Sequence, residues 1–246
     1  MNKWFFLSML LVLRVGLAKE SIYTVGVENL PFLPYSQVKD KQYIGILREI
    51  LDEFGQQENI TFRYEALPIT RLYARFFAGK IDFKMPANKY WQKSIKDKRN
   101  LLISYSSPLV HFLDGVMVQK PNANATLEMM KRIGIVSGFT PAQQYLQRTK
   151  DKKLVMRENP SIRGLLEQTL LGRLDGAYVN IYVAEHFLRE ALQKPDELVF
   201  SKKLPYVKGD YHIATLKHQA LIKKINKYLI ESAAKINNLK KKYGIR

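Results

Sequence analysis

Apolar and polar residues alternate in two rhythms along this chain, and the rhythms take turns. Residues 21–27, "SIYTVGV", and 60–67, "ITFRYEAL", read as strands, whereas 43–57, "YIGILREILDEFGQQ", places Ile46, Ile50, Leu51 and Phe54 at helical spacing. A helix over 69–79 closed by Gly79, strands at "IDFKM" and "LLISYS", and a strand over 114–119 follow. The sequence then repeats the pattern: strand 132–136, helix 141–149, strand at "KLVMRE", helix at "SIRGLLEQTLLG", strand at "DGAYVN", helix at "IYVAEHFLREAL" and a last strand over 211–216. From about His218 onward a long helix is predicted, with Leu221, Ile225, Leu229, Ile236, Leu239 and Tyr243 on its apolar face and lysines outside.

Strand and helix in alternation predict an α/β protein with a mixed, largely parallel sheet in each of two lobes. An internal echo supports two lobes: "AGKIDF" (78–83) and "LGRLDGAY" (171–178) share the order helix, glycine, base, apolar, aspartate, strand. Asp82 and Asp175 are accordingly read as structural. Breaks at 119–130 and 201–210 suggest a chain that leaves the first lobe, builds the second and returns. The expected division is 19–110 for lobe 1, 115–200 for lobe 2, and 210–246 for the return to lobe 1.

The first 18 residues stand apart. A short basic head, a ten-residue apolar run from Trp4 to Leu13, and small residues at Gly16 and Ala18 have the form of a secretory signal peptide. No other stretch is long and apolar enough to span a bilayer. The chain has no cysteine, which excludes disulfides, thiol catalysis and an acylated-cysteine anchor. Removal of the leader takes Lys3 and Arg14 with it and lowers the formal charge from +18 to +16. An exported destination argues against nucleic acid as the partner of that charge, and the expectation is a monomer with a solvated basic surface.

Hydrolase, phosphate-loop and dinucleotide motifs are all missing, and the four histidines lack metal-ligand spacing. The expectation is therefore a non-enzyme with neither cofactor nor metal. Binding features are clearer. In "VSGFTPAQQ" a strand passes through Gly138 and Phe139 into a helix, for which Thr140 is the expected N-cap, Pro141 the first residue and Gln143 the partner in a capping box. Such a terminus suits an anion. Arg99, ahead of "NLLISYSSPL", offers a guanidinium that can grip a carboxylate through two parallel hydrogen bonds. Arg71 is a second candidate for an anion, with a solvated helix position as the competing reading.

These segments resemble the periplasmic solute-binding proteins of the type 2 fold, nearest the polar amino acid group known as family 3, over nearly all of the chain after the leader. The resemblance rests on "RNLLISYSSPL", "VGVENLPF", "GFTP" and "GRLDGAYVN". It implies that Arg99 and the backbone amides at 138–140 hold a ligand carboxylate, that Glu28 is a ligand-facing acid, and that Phe32 is an aromatic wall. It also implies hinge closure and a membrane partner, an ABC permease or a sensor. The sequence departs from the pattern in three places, one of them Lys96, which stands three places before the arginine where the family usually carries a hydroxyl residue. Asn180 stands where amino-acid binders carry an aspartate for the ligand's ammonium, so that Asn180→Asp is expected to improve binding of zwitterions. The segment 86–96 is lengthened and brings Trp91 to the cleft mouth. The resulting expectation is a periplasmic binder of a small, anionic or carboxylate-bearing solute. A binding-fold enzyme of the dehydratase kind, or a basic protein docking on envelope polymers, are the alternatives.

Overall fold

The computed structural model describes residues 20–245, and the leader expected over 1–18 lies outside them. Strand β1 (Ser21–Glu28) sinks inward along its length, its last four positions being buried. A hairpin follows, β2 (Gln37–Lys39) and β3 (Gln42–Ile44), turning on Asp40 and Lys41, both at positive φ. The helical pattern expected from residue 43 therefore takes hold later, as α1 (Ile46–Glu58). Gly45 explains the delay. Its φ is +117, and a Cβ there would lie 2.4 Å from the Tyr35 carbonyl oxygen, so a glycine lets the hairpin turn directly into the helix. α1 then buries the expected apolar face, including Ile50, Leu51 and Phe54.

Strand β4 (Ile60–Leu67), helix α2 (Ile69–Phe77) and strand β5 (Phe83–Ala87) come next. After them the segment expected as one strand differs. A short helix, α3 (Lys93–Lys98), ends at Arg99, Asn100 adopts a left-handed conformation, and only β6 (Ser104–Tyr105) is extended and paired. Leu102 is left 86% exposed, which no buried strand would allow. Strand β7 (Val110–Gln119) is longer than expected.

The second run comprises β8 (Arg132–Val136), α4 (Gln143–Lys150), β9 (Val155–Asn159), α5 (Ile162–Leu170), β10 (Gly176–Asn180), α6 (Ile181–His186), a π-helical turn over Phe187–Ala191, and β11 (Leu198–Phe200). Strand β12 (Val207–Thr215) returns, and the tail forms two helices, α7 (Gln219–Glu231) and α8 (Ala233–Lys242), broken at Ser232. Leu221, Ile225, Leu229 and Ile236 are buried from these two helices, as the apolar stripe requires.

The strands run in the order β4-β1-β5-β12-β7-β10-β8-β9, with β6 on β12 and β11 on β7. β1 pairs β4 and β5 in parallel at one end, and β8 pairs β9 and β10 in parallel at the other. Between these two parallel groups lie two antiparallel strands. β12 pairs β7 over Val207–Tyr211 and β5 at His212 and Ala214, with a register shift between those two residues. β7 and β12 thus carry the chain between two α/β lobes.

The echoed aspartates do the same structural work in each lobe. Asp82 accepts from the Thr24 amide and pairs with Lys217 and His218, and these partners hold its carboxyl down to about 2 against the opposing effect of burial. Asp175 accepts from the Lys131 and Arg132 amides. Each one ties a strand start to its neighbour.

Candidate functional site

β1 ends in Glu28, β5 runs on into Pro86 and Asn88, β7 begins beside Phe112 and Asp114, and the β8–α4 loop supplies Gly138, Phe139 and Thr140. These ends meet around a cavity of about 730 Å³, closed behind by Val207–His212 of β12. Its walls are aromatic: Phe32, Tyr73, Trp91, Phe112, Phe139 and Tyr211. Phe112 stacks on Tyr211 with ring centroids 4.8 Å apart, and Phe32 meets Phe139 edge-on at 6.0 Å, a contact that crosses from one lobe to the other. Such a lining suits a small organic molecule oriented by a few polar groups.

Asp210, Lys89 and Lys208 are among the polar groups of the lining, and two further carboxyl groups in it, Glu28 and Asp114, are raised by burial. Glu28 is 9% exposed and lies 3.6 Å from the Nζ of Lys84, which is only 1% exposed. Burial pushes the Glu28 carboxyl up and the Lys84 ammonium down, and each partner's charge opposes the other's shift. The Lys84 ammonium also donates to the Pro86 carbonyl and lies 4.5 Å from the Tyr73 ring centroid and 5.5 Å from that of Trp91. It is therefore an internal cation beneath the cavity, caged by an acid, a carbonyl and two rings.

Asp114 is the second carboxyl. It lines the cavity at the start of β7 and accepts a 3.0 Å hydrogen bond from the Asn180 side-chain amide. Burial raises its carboxyl to about 7, a rise that the Asn180 donor opposes. Asn180 lies directly opposite Asp114 in the antiparallel register of β10 and β7. Its side-chain oxygen accepts from the Val183 amide and caps α6. Asn180 is thus fully buried and lines neither cavity described here; it holds Asp114 and a helix start.

The structure changes the expectation for Asn180→Asp. A carboxylate there would replace the amide donor and stand beside a carboxyl that is already hard to ionise. We expect weaker solute binding and a further rise in the acid's titration, readable as loss of ligand-induced thermal shift at pH 7. Improved binding of any zwitterion would overturn this account.

Other expected site residues separate. Glu28, Phe32, Trp91, Gly138, Phe139 and Thr140 share the main cavity. Thr140 is not a helix cap. α4 begins at Gln143 after Ala142, with no side-chain cap. Gly138 turns at φ +84, and Ala142 is held extended and buried against the core around Tyr145, so the chain cannot enter the helix at Pro141. Arg99 is exposed and lines an adjoining cavity of about 600 Å³ with Leu30, Ile69, Ile95 and Ser137. Arg71 is exposed on α2 and lines neither cavity. Sequence reasoning passed over Lys84 and Asp114. Each had a signal, a lone charge inside an apolar strand: "FKMPA" and "FLDGVMV".

No group of three or more His, Asp or Glu among the described residues is placed to hold a metal ion. No helix among them is long and apolar enough to cross a membrane.

No family model matches this sequence, and no curated protein matches it. Solved structures do. An arginine transport system periplasmic binding protein from Legionella pneumophila superimposes with a TM-score of 0.69 at 17% identity, covering 91% of this chain and 99% of that one. The amino acid ABC transporter substrate-binding protein AbpA from Streptococcus pneumoniae, bound to L-arginine, gives 0.68 at 17% identity, over 91% and 94%. A histidine kinase sensor domain with similarity to periplasmic binding proteins gives 0.70 at 16% identity, over 91% and 96%. The chain carries the two-lobe α/β fold of the type 2 periplasmic binding proteins.

Proposed function

We propose that this protein is an exported solute-binding protein, working in the periplasm, that closes its two lobes over a small solute. In this reading lobe 1 comprises roughly 19–110 and 210–246, and lobe 2 roughly 115–200. The observation that carries it is the cavity itself, lined from both lobes, walled by aromatic rings and holding Glu28 and Asp114 within an apolar setting. A solute that touches both lobes favours the closed arrangement by its differential contacts.

The solute class follows from the charges. Burial raises the Asp114 carboxyl to about 7, and a positive group on the solute would favour its ionised form. Arg99 and the backbone at Gly138 and Phe139 remain the candidates for a carboxylate. A zwitterion satisfies both. The similar solved structures include one bound to L-arginine, which agrees with a cationic group, and they include both transport proteins and a kinase sensor domain, which supports an ABC permease or a sensor as the membrane partner.

Trp91 provides the test. Once the leader is removed it is the only tryptophan, and it lines the cavity. A panel of amino acids, short peptides and simple carboxylic acids is titrated while Trp91 fluorescence and melting temperature are recorded. We expect at least one compound to saturate a single site and raise the melting temperature by mass action. If no member of the panel moves either signal, the reading fails.

A further inference from the structure

An α-amino acid carries its ammonium and its carboxylate on one carbon. In this protein the groups that would receive them face two different cavities. Asp114 belongs to the 730 Å³ cavity and Arg99 to the 600 Å³ one. The two cavities are neighbours, because Ile69, Tyr73, Gln92 and Gly138 line both. Both also draw walls from the two lobes, Ile69 and Tyr73 from α2 and Gly138 from the β8–α4 loop.

The Arg99 side chain has no hydrogen-bond or ion-pair partner among the described residues, and it is exposed. The cations around the main cavity are already engaged: Lys84 is enclosed by its own neighbours, and Lys89 and Lys208, which line it, lie over the rings of Tyr90 and Tyr206 at 5.1 and 5.8 Å. The one guanidinium lining either cavity therefore lies in the second, without a partner among the described residues, and the acid raised by burial lies in the first. Between them runs a wall of mixed character. Ile69 and Tyr73 give it apolar surface, while Gln92, with Asn29 and Ser137 in the second cavity, gives it hydrogen-bonding groups.

We propose that the ligand is an elongated zwitterion of the short-peptide class, with its amino terminus at Asp114, its carboxyl terminus at Arg99, and its chain crossing the shared wall. This rests on the solute-binding reading above and deepens it. Peptide groups suit the crossing because each needs both a donor and an acceptor, which Gln92 and Asn29 side-chain amides supply. A two-point hold at the ends accounts for two cavities where one would serve a single amino acid.

The test uses the leader-free chain and two ladders, mono- to tetra-alanine and mono- to tetra-lysine, each with a free and an amidated carboxyl terminus. Trp91 fluorescence and calorimetry give Kd. We expect di- or tripeptides to bind at least tenfold tighter than the matching single amino acid, and amidation to weaken them at least tenfold. In Arg99→Gln the free and amidated forms become equal. Single amino acids that bind as tightly as the peptides overturn the proposal, and so does an amidation effect that survives Arg99→Gln. If amino acids bind and peptides gain nothing, the solute-binding reading stands and the elongated ligand falls. If neither ladder binds and the wider panel does, again only the elongated ligand falls, and if nothing binds, both do.

Discussion

Lys84→Met should cost this protein about 3–5 kcal/mol at pH 8, the range observed when one member of a buried ion pair is removed. The substitution keeps most of the side-chain volume, so the loss comes from Glu28. That carboxyl, 9% exposed, would lose the one cation within 4 Å of it among the described residues. Burial already pushes its titration upward, and without Lys84 nothing of like strength opposes the push. Glu28 would take up a proton in the variant, which makes the loss pH-dependent. A group whose folded pKa is raised contributes stability below its unfolded pKa and loses it as pH rises through the folded value. The deficit of Lys84→Met relative to the parent should therefore be smallest in acid and grow towards pH 8. Adding Glu28→Gln to the same chain removes the stranded charge and should recover most of the loss. Urea unfolding at pH 5 and pH 8 reads all three chains, and Trp91 emission, which senses the ammonium 5.5 Å away, reports the site directly. A neutral single variant, or a double variant no more stable than the single, would mean that Lys84 does not hold Glu28.

This pair also marks the limit of what the sequence reveals. Periodicity was enough to place most strands and helices, because burial on one face leaves a trace at spacing 2 or 3.6. It failed where another constraint decided. The strand expected over 101–106 contracts to Ser104–Tyr105 because α3 and Asn100 use up the preceding residues in a turn. The helix expected from Pro141 begins at Gln143 because Ala142 packs into the core. Of the residues that line the main cavity, Glu28, Phe32, Trp91 and Phe139 were legible, since each lies at or just beyond a strand end or in the inserted segment. Lys84 and Asp114 were not. β5 is buried at all five of its positions, so its lysine has no exposed side to turn to, yet nothing in a period-two pattern distinguishes that lysine from a surface one. Only pairing across strands, Asn180 opposite Asp114 and Glu28 beside Lys84, reveals that the charges are internal.

That cross-strand pairing gives Asp114→Asn an expected signature in both stability and binding. The Asp114 carboxyl titrates at about 7 because burial penalises its charged form, with one amide donor from Asn180 opposing. The groups facing it include the hydroxyls of Tyr35, Tyr178 and Tyr211, none of which supplies a positive charge. An aspartate in an unfolded chain titrates near 4. The folded protein therefore holds the proton more tightly, and its stability falls as pH rises from about 4 to about 7, then levels off. The fall is at most about 4 kcal/mol. Asn cannot ionise, so Asp114→Asn should melt higher than the parent at pH 8, with the difference vanishing or reversing at pH 5. Binding moves the opposite way. A cationic solute needs the ionised acid, so affinity of the parent for trialanine or arginine should rise about tenfold per pH unit up to pH 7 and then become constant. In Asp114→Asn that rise should disappear and affinity at pH 8 should fall about 100-fold, the range seen when one member of a desolvated, hydrogen-bonded charge pair is removed. The variant is then more stable and less able to bind, a combination that loss of folding cannot produce. A parent whose affinity is flat between pH 5.5 and pH 8, or a variant that binds as well as the parent, would place the solute's positive group elsewhere in the cleft.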